Sequence, residues 1–123
     1  MNTMNSEEIA LKFVDRINTQ DADGLAKLMT ENFKFIDYGG NVYQGRERMR
    51  NGFAEYFSAY PKYKIQVEKI CLSGNDIAFI AKTTGSHVPS ELEEKETLIF
   101  IAQIENGLVA EWRIYTDLEK SKR

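Results

Sequence analysis

Apolar residues recur every three or four positions in the first half of the chain, which predicts helices there. Asn5 is placed to cap a first helix, and Asp21 or Asp23 to cap a short second one. A third helix follows Gly45 and ends before Pro61, which cannot continue it. The apolar faces of the three helices consist of Ile9, Phe13 and Ile17, of Leu25, Leu28 and Met29, and of Met49, Phe53, Tyr56, Phe57 and Tyr60.

After residue 61 the apolar period shortens to two, which predicts strands. The first long strand changes phase near Lys69, which indicates a bulge. A short strand precedes the turn at Gly39 and Gly40. The pattern predicts an α+β domain in which four long antiparallel strands plus short strands pack against three N-terminal helices. The long strands are expected at residues 63–72, 77–84, 97–104 and 108–116, with a polar loop at 89–94.

Two of the predicted strands are apolar on both faces. Residues 77–81 read Ile-Ala-Phe-Ile-Ala, and residues 98–102 read Leu-Ile-Phe-Ile-Ala. An antiparallel sheet with one solvated face would alternate apolar and polar residues instead. Since the helices can cover only one face, we expect a second copy of the chain to cover the other, giving a homodimer through the outer sheet face.

Size and charge narrow the class of protein. The 123 residues suffice for one domain, 1–123, whose ends at 1–5 and 119–123 we expect to fray. The net charge of -3 argues against nucleic-acid binding, and the basic run of Arg46, Arg48 and Arg50 is interpreted as a solvated helix face.

The sequence shows no signal-peptide pattern and no apolar run of about 18 residues, so we expect a cytoplasmic protein without membrane contact. The single cysteine, Cys71, lies between two apolar residues of a predicted strand. We expect it to be a buried, inert thiol.

Three segments of the chain resemble the nuclear transport factor 2-like superfamily, and in particular its SnoaL-like domains. They are Phe13-Val-Asp-Arg-Ile-Asn-Thr-Gln-Asp21, Phe35-Ile-Asp37-Tyr-Gly-Gly with Gly45 eight residues after Asp37, and Glu111-Trp-Arg-Ile-Tyr-Thr-Asp117. The resemblance implies a cone-like curved sheet wrapped by helices, with one internal pocket for a small organic molecule. It implies no single activity, because this fold hosts several chemistries and many pure binders.

Asp37 resembles the general base of the ketosteroid isomerases. A carboxylate in a pocket wall can take a proton from a carbon next to a carbonyl, and the resulting enolate needs hydrogen-bond donors close by. The positions of those donors match Phe13 and Ile101, and neither side chain can donate. We therefore reject steroid isomerisation and retain Asp37 as a candidate base. A structural role in the turn at Gly39 and Gly40 stays open, because Asp favours such positions.

Asp117 matches the acid/base Asp that SnoaL-like cyclases carry at the end of the last strand. The partner His of those cyclases corresponds to Gln103, which can hydrogen-bond a carbonyl but cannot move a proton. A cap or surface carboxylate is the alternative for Asp117. His87 ends a strand where SnoaL-like chains often place residues of the pocket rim, and it is the third catalytic candidate because a neutral imidazole can relay a proton near physiological pH. An exposed histidine without a role is its alternative.

The helix faces and the last strand supply the remaining candidates. Core packing is the alternative to ligand contact for Tyr56 and Tyr60. Arg113, Tyr115 and Asp117 share one face of the last strand and would line the pocket together if that face is the concave one. No spacing of metal ligands occurs, so we expect neither a metal nor another cofactor. The expected pocket residues, apart from the catalytic candidates, are Phe13, Tyr38, Phe53, Tyr56, Tyr60, Gln103, Trp112, Arg113 and Tyr115.

Two functions remain open at this point. The first is a small-molecule-binding domain that acts as a cofactor-independent isomerase, cyclase or lyase, with Asp37 and Asp117 moving a proton on an apolar, carbonyl-containing substrate. The second is a non-catalytic domain that binds an apolar ligand or only dimerises. An enzyme requires a pocket with a convergent carboxylate, and a binder requires a pocket whose polar groups satisfy one another. A dimerisation module would have its pocket filled by side chains.

Overall fold

A computed structural model describes residues 4–119 of the chain. The expected α+β class is confirmed, with helices concentrated in the first half and four long strands in the second. The fraying expected at residues 1–5 and 119–123 falls mostly outside the described residues. In chain order the elements are α1 (Ser6–Asn18), α2 (Ala22–Lys27), β1 (Met29–Ile36), β2 (Val42–Gln44), α3 (Arg46–Ala59), β3 (Lys64–Ser73), β4 (Asp76–Thr84), α4 (Ser90–Glu93), β5 (Leu98–Glu105) and β6 (Leu108–Thr116).

The six strands form one curved, unclosed sheet in the order β2-β1-β6-β5-β4-β3. The four long strands, β3 to β6, pair antiparallel, as expected. The sheet as a whole differs from the expectation of a purely antiparallel arrangement, because β1 pairs in parallel with β6. A parallel pair needs a long connection between its strands, and the chain from β2 to β5 provides one.

Polar side chains cap the first two helices where the sequence predicts them. Asn5 Oδ1 accepts a hydrogen bond from Glu8 N at 2.8 Å. Asp21 Oδ1 accepts one from Gly24 N, also at 2.8 Å, so Asp21 rather than Asp23 caps α2. Each cap satisfies a backbone N–H that has no partner within its own helix.

The predicted extent of the second helix is wrong at its C-terminal end. The helix stops at Lys27, and Met29 begins β1. Leu28 O accepts a hydrogen bond from Val109 N at 2.7 Å, and Met29 pairs with Val109 in the sheet. Backbone hydrogen bonds to β6 therefore override the helical spacing of these apolar side chains.

Two further local expectations have different outcomes. The pairing of β3 with β4 shifts register between Val67 and Lys69, which confirms the predicted bulge. The segment 89–94, expected to be a polar loop, instead contains the single-turn helix α4. The turn is held by Glu93, whose Oε2 accepts a hydrogen bond from Ser86 N at 2.9 Å.

The hydrophobic core lies between helices α1 to α3 and the inner face of the sheet, the face turned toward those helices. Trp112 occupies its centre and is 1% exposed. Its ring centroid lies 4.8 Å from that of Phe13 on α1 and 5.3 Å from that of Phe100 on β5. Through these contacts, α1 packs directly against the middle of the sheet.

The outer face of the sheet, turned away from the helices, carries apolar side chains. Ile99 and Tyr115 on this face are 37% and 46% exposed. Cys71 is also exposed, so its predicted burial is wrong. It lies opposite Ala78 on the outer face of β3, the edge strand, where no helix covers it.

Candidate functional site

A pocket of about 380 Å³ opens between α3 and the inner face of β1 and β6. This volume lies at the lower end of the range for small-molecule sites, roughly 300–1,000 Å³. Most of the lining is aromatic or aliphatic. It consists of Ile17, Phe35, Asp37, Tyr38, Tyr43, Arg48, Met49, Gly52, Phe53, Tyr56, Tyr63, His87, Trp112 and Ile114.

Helix α3 supplies one wall of the pocket because its pocket-facing residues recur every three or four positions. The start of the helix is fixed against β1, since Gly45 N donates to Phe33 O at 2.8 Å. Gly45 has a φ of +115°, a backbone conformation that suits glycine and few other residues. The wall consists of Arg48, Met49, Gly52, Phe53 and Tyr56.

The sheet supplies the other wall through Phe35 on β1 and through Trp112 and Ile114 on β6. Phe35 and Trp112 are directly paired across the two strands. The Phe35 ring lies 6.0 Å from Phe53 on α3 and 6.1 Å from Tyr43 on β2. The sheet wall is thus apolar and is packed against the helix on one side of the pocket.

Asp37 lines the pocket, and both of its carboxylate oxygens accept hydrogen bonds from its own turn. Oδ1 accepts from the backbone N–H groups of Gly39 and Asn41, each at 2.9 Å. Oδ2 accepts from Asn41 Nδ2 at 3.1 Å. These three hydrogen bonds form the structural turn that the sequence analysis gave as the alternative role of Asp37. They account for the residue without requiring a catalytic role.

Tyr56 and His87 form a hydrogen-bonded pair at the pocket wall. Tyr56 Oη lies 2.8 Å from His87 Nδ1, and the backbone N–H of His87 donates to the same oxygen at 3.2 Å. These two contacts hold the loop after β4 against α3. A phenol and an imidazole joined by a hydrogen bond are thereby placed together in the lining.

Two more tyrosines pack around this pair. The Tyr63 ring meets the Tyr56 ring edge-on at 5.1 Å and lines the pocket. Its backbone is held by Gln20, two residues after the end of α1, whose Nε2 donates to Tyr63 O at 3.2 Å. Tyr60, expected in the pocket, lies behind the lining, 4.8 Å from the Tyr56 ring and 6.1 Å from the His87 ring.

Arg48 borders the mouth of the pocket. Its Cζ lies 5.3 Å from the centroid of the Tyr43 ring, a cation–π contact. The residue is exposed, as expected for a solvated helix face, and yet belongs to the lining. Arg50 instead points to Asp23, with its Nε 2.6 Å from Asp23 Oδ1. Between residues 4 and 119, no carboxylate forms an ion pair with Arg48.

The two residues expected to correspond to the cyclase pair lie outside the pocket lining. Asp117 is exposed, and its Oδ1 accepts a hydrogen bond from Thr97 N at 2.9 Å. The backbone N–H of Asp117 donates to Thr97 O at 3.3 Å, so the residue clamps the end of β6 to the start of β5. Gln103 is exposed on the outer face of the sheet, opposite Glu111.

Arg113 and Tyr115 share one face of β6, as strand parity predicts, and that face is the outer one. The residues of opposite parity, Trp112 and Ile114, line the pocket instead. Arg113 Nη1 donates to Tyr115 Oη at 3.1 Å, and Arg113 Nε lies 3.4 Å from Glu111 Oε2. The hydrogen bond to Tyr115 raises the pKa of Arg113 above its ordinary value. Arg113 therefore pairs along the outer face and not with a pocket carboxylate.

The two positions matched to the isomerase donors also lie away from the lining. Phe13 is fully buried behind Trp112. Ile101 lies on the outer face of β5, opposite Arg113. Neither side chain borders the pocket, so the pocket has no hydrogen-bond donor from these positions.

Six of the residues expected in the site do line the pocket: Asp37, Tyr38, Phe53, Tyr56, His87 and Trp112. Sequence reasoning missed the other eight lining residues, which are Ile17, Phe35, Met49, Tyr63, Ile114, Tyr43, Arg48 and Gly52. A usable signal existed for the last two, because Arg48 and Gly52 precede Tyr56 by eight and four residues on the same helical face. Tyr43 had no such signal, since its place depends on how the short strand β2 folds over β1.

Within the part of the chain that the structure describes, no three His, Cys, Asp or Glu side chains come together to hold a metal ion. None of the helices in that part is long and apolar enough to cross a membrane.

The model of the SnoaL-like domain family matches residues 10–112. No match was found among curated proteins. Among solved structures, the chain is similar to an NTF2-like protein of unknown function from Cytophaga hutchinsonii, at 22% identity, over 94% of this chain and 93% of that one, with a TM-score of 0.75.

The chain is also similar to two structures of proteins with a proposed activity. One is a proposed SnoaL-like polyketide cyclase from Jannaschia sp., at 22% identity, over 91% of this chain and 85% of that one, with a TM-score of 0.74. The other is a proposed ketosteroid isomerase from Kribbella flavida, at 16% identity, over 93% of this chain and 78% of that one, with a TM-score of 0.73. Identities this low establish a shared fold and not a shared activity. Because the family model spans most of the chain, the chain belongs to the SnoaL-like domain family of the nuclear transport factor 2-like superfamily.

Proposed function

We propose that this protein binds a small, mostly apolar, carbonyl-containing molecule in the pocket between α3 and the sheet. The observation that carries this proposal is the open volume of about 380 Å³, which the surrounding aromatic side chains do not fill. A module that only dimerises has no need of such a space, since filling it with side chains would stabilise the core.

The polar groups of the lining support binding more strongly than carboxylate catalysis. Asp37 is occupied by the donors of its own turn, and Asp117 lies outside the lining. Tyr56 and His87 are bonded to each other. A pocket whose polar groups satisfy one another is the arrangement expected of a binder.

Proton transfer, as in an isomerase or lyase, is the second candidate, and the Tyr56–His87 pair is the observation that favours it. With a β,γ-unsaturated ketone, the imidazole would take a proton from the carbon next to the carbonyl and return it to the far carbon of the resulting dienolate, which moves the double bond into conjugation. Such a step needs no cofactor, because the proton and the electron pair stay between ligand and imidazole. Asp37 remains the alternative base.

One experiment with 2-tetralone, an apolar ketone, tests both candidates. We expect it to quench the fluorescence of Trp112, the single tryptophan, in a saturable manner, because Trp112 lines the pocket. Exchange of its α-protons in deuterium oxide, followed by NMR, reports proton transfer. If the pair is catalytic, His87→Gln slows the exchange to the uncatalysed rate, while Asp37→Asn preserves both binding and exchange.

Other results would contradict proton transfer, the role of His87 or ligand binding. Quenching without accelerated exchange in the native protein supports a binder and rejects proton transfer. If proton exchange is lost in Asp37→Asn and kept in His87→Gln, Asp37 is the base. Absence of quenching at millimolar ketone contradicts ligand binding itself.

We also propose that the protein is a homodimer through the outer sheet face. Its support is the exposed apolar surface of Ile99 and Tyr115, flanked by Ile80 and Ile101, on a face that the helices leave bare. Sedimentation velocity at micromolar concentration should give a dimer. Ile99→Lys should give a monomer, because it places charges at the centre of the interface.

Leu11→Lys is the matched control for the dimer. Leu11 has the same exposure as Ile99, 37%, but lies on α1. We expect this variant to remain a dimer. A monomeric native protein, or equal behaviour of the two variants, would count against the interface.

A further inference from the structure

Arg48, Gly52 and Tyr56 lie on successive turns of α3 and all line the pocket; we call these three residues the α3 stripe. A helix rises about 1.5 Å per residue, so the stripe spans about 12 Å along the pocket wall. It places a guanidinium at one end, bare backbone in the middle and a phenol hydroxyl at the other end. The stripe is therefore chemically different at its two ends and has a gap between them.

The gap at Gly52 is not required by the fold of the chain. Gly52 lies in the interior of α3, where glycine is less favourable than alanine. An added Cβ would meet only Met49 Cε, at 3.6 Å, which is ordinary van der Waals contact. Neither backbone nor packing excludes a side chain here, and the missing Cβ leaves pocket space open beside the helix.

Arg48 supplies a positive charge to that space. Its guanidinium contacts the Tyr43 ring and, within residues 4–119, pairs with no carboxylate. The other charged side chain of the lining, Asp37, is held by three donors of its own turn. Arg48 is thus the lining charge placed to meet a ligand. A planar guanidinium matches the geometry of a carboxylate.

We propose that the α3 stripe is a subsite for a planar aromatic carboxylate. The carboxylate lies on Arg48, the ring lies against the bare backbone at Gly52, and the far edge of the ring lies beside Tyr56, whose hydroxyl is held by His87. The aromatic side chains of the sheet wall, Phe35 and Trp112, face the same space and favour a flat ring. The proposal rests on the proposed binding function and names the class of ligand.

The test compares 2-naphthoate with 2-naphthamide, which has the same ring and no charge. Both are titrated at neutral pH with Trp112 fluorescence as the signal. We expect 2-naphthoate to bind the native protein at least about threefold more tightly, because Arg48 pairs with its carboxylate. Arg48→Gln should make the two affinities equal. Arg46→Gln, the same charge change on an exposed residue outside the lining, should leave the preference intact.

Gly52 variants test the gap separately. Gly52→Leu should abolish binding of both probes, because its side chain fills the space. Gly52→Ala should raise the midpoint of thermal unfolding measured by circular dichroism and weaken both probes severalfold. This combination of a more stable helix and weaker binding separates a ligand gap from a structural glycine.

Some results would contradict the carboxylate subsite without contradicting ligand binding in the pocket. Equal affinities of the two probes in the native protein would overturn the carboxylate subsite while leaving a binding pocket. Unchanged binding in Gly52→Leu would overturn the placement of the ring. If neither probe quenches Trp112 in the native protein, the subsite and the binding function fail together.

Discussion

Trp112→Ala is expected to lower the free energy of unfolding by about 3–5 kcal/mol, the cost of truncating a buried aromatic side chain. The Trp112 side chain is 1% exposed and packs between Phe13 and Phe100. Its removal would leave a cavity that joins the core to the pocket, and it would remove the aromatic contact between Phe13 on α1 and the sheet. Urea denaturation followed by far-ultraviolet circular dichroism measures the loss, since the variant has no tryptophan fluorescence.

Trp112→Phe is the control for this prediction. It keeps an aromatic ring against Phe13 and should cost about 1–2 kcal/mol, because less volume is removed. A Trp112→Ala protein within about 1 kcal/mol of the native one would contradict a central role for this residue in the core.

Gly85→Ala is expected to cost about 2–4 kcal/mol, for two separate reasons. The residue has a φ of +69°, which strains any residue with a Cβ, and that Cβ would lie 2.5 Å from Lys62 O. The carbonyl belongs to the backbone and cannot move aside cheaply. The loop that carries His87 would shift, so we also expect loss of the contact between His87 and Tyr56. Urea denaturation measures the stability, and NMR of the imidazole reports the contact.

Gly74→Ala separates the two reasons. Gly74 has a similar φ of +60°, but nothing lies within 4 Å of an added Cβ. It should cost about 1 kcal/mol, which is the backbone strain alone. If the two variants lose the same stability, the close approach of Lys62 to Gly85 contributes nothing.

Much of the secondary structure could be predicted because it depends on local spacing. The faces of α1 and α3, the caps at Asn5 and Asp21, and the bulge near Lys69 follow from residues that are neighbours in sequence. The errors occur where distant chain segments compete with local preference. Met29 belongs to β1 because Val109 pairs with it, and Cys71 is exposed because no helix reaches the outer face of β3.

The candidate site was predictable only in part. Tyr56, His87 and Asp37 could be named because their residue types carry chemistry. Their partners could not, since the contact between Tyr56 and His87 joins residues 31 positions apart. The turn that holds Asp37 was foreseen as an alternative, because Asp and the two glycines that follow it are adjacent in sequence.

By itself, the sequence determined most of the elements, the apolar faces of α1 and α3, and the division of β6 into two sets of residues. Alternation along a strand separates Arg113 and Tyr115 from Trp112 and Ile114, because successive side chains point to opposite sides. Alternation cannot say which side is concave. Only the tertiary structure decided that Trp112 and Ile114 face the pocket, because the helices pack on that side and leave the other one bare. In the same way, the sequence cannot show that Gly52 borders open space, because that space exists only between α3 and the sheet opposite it.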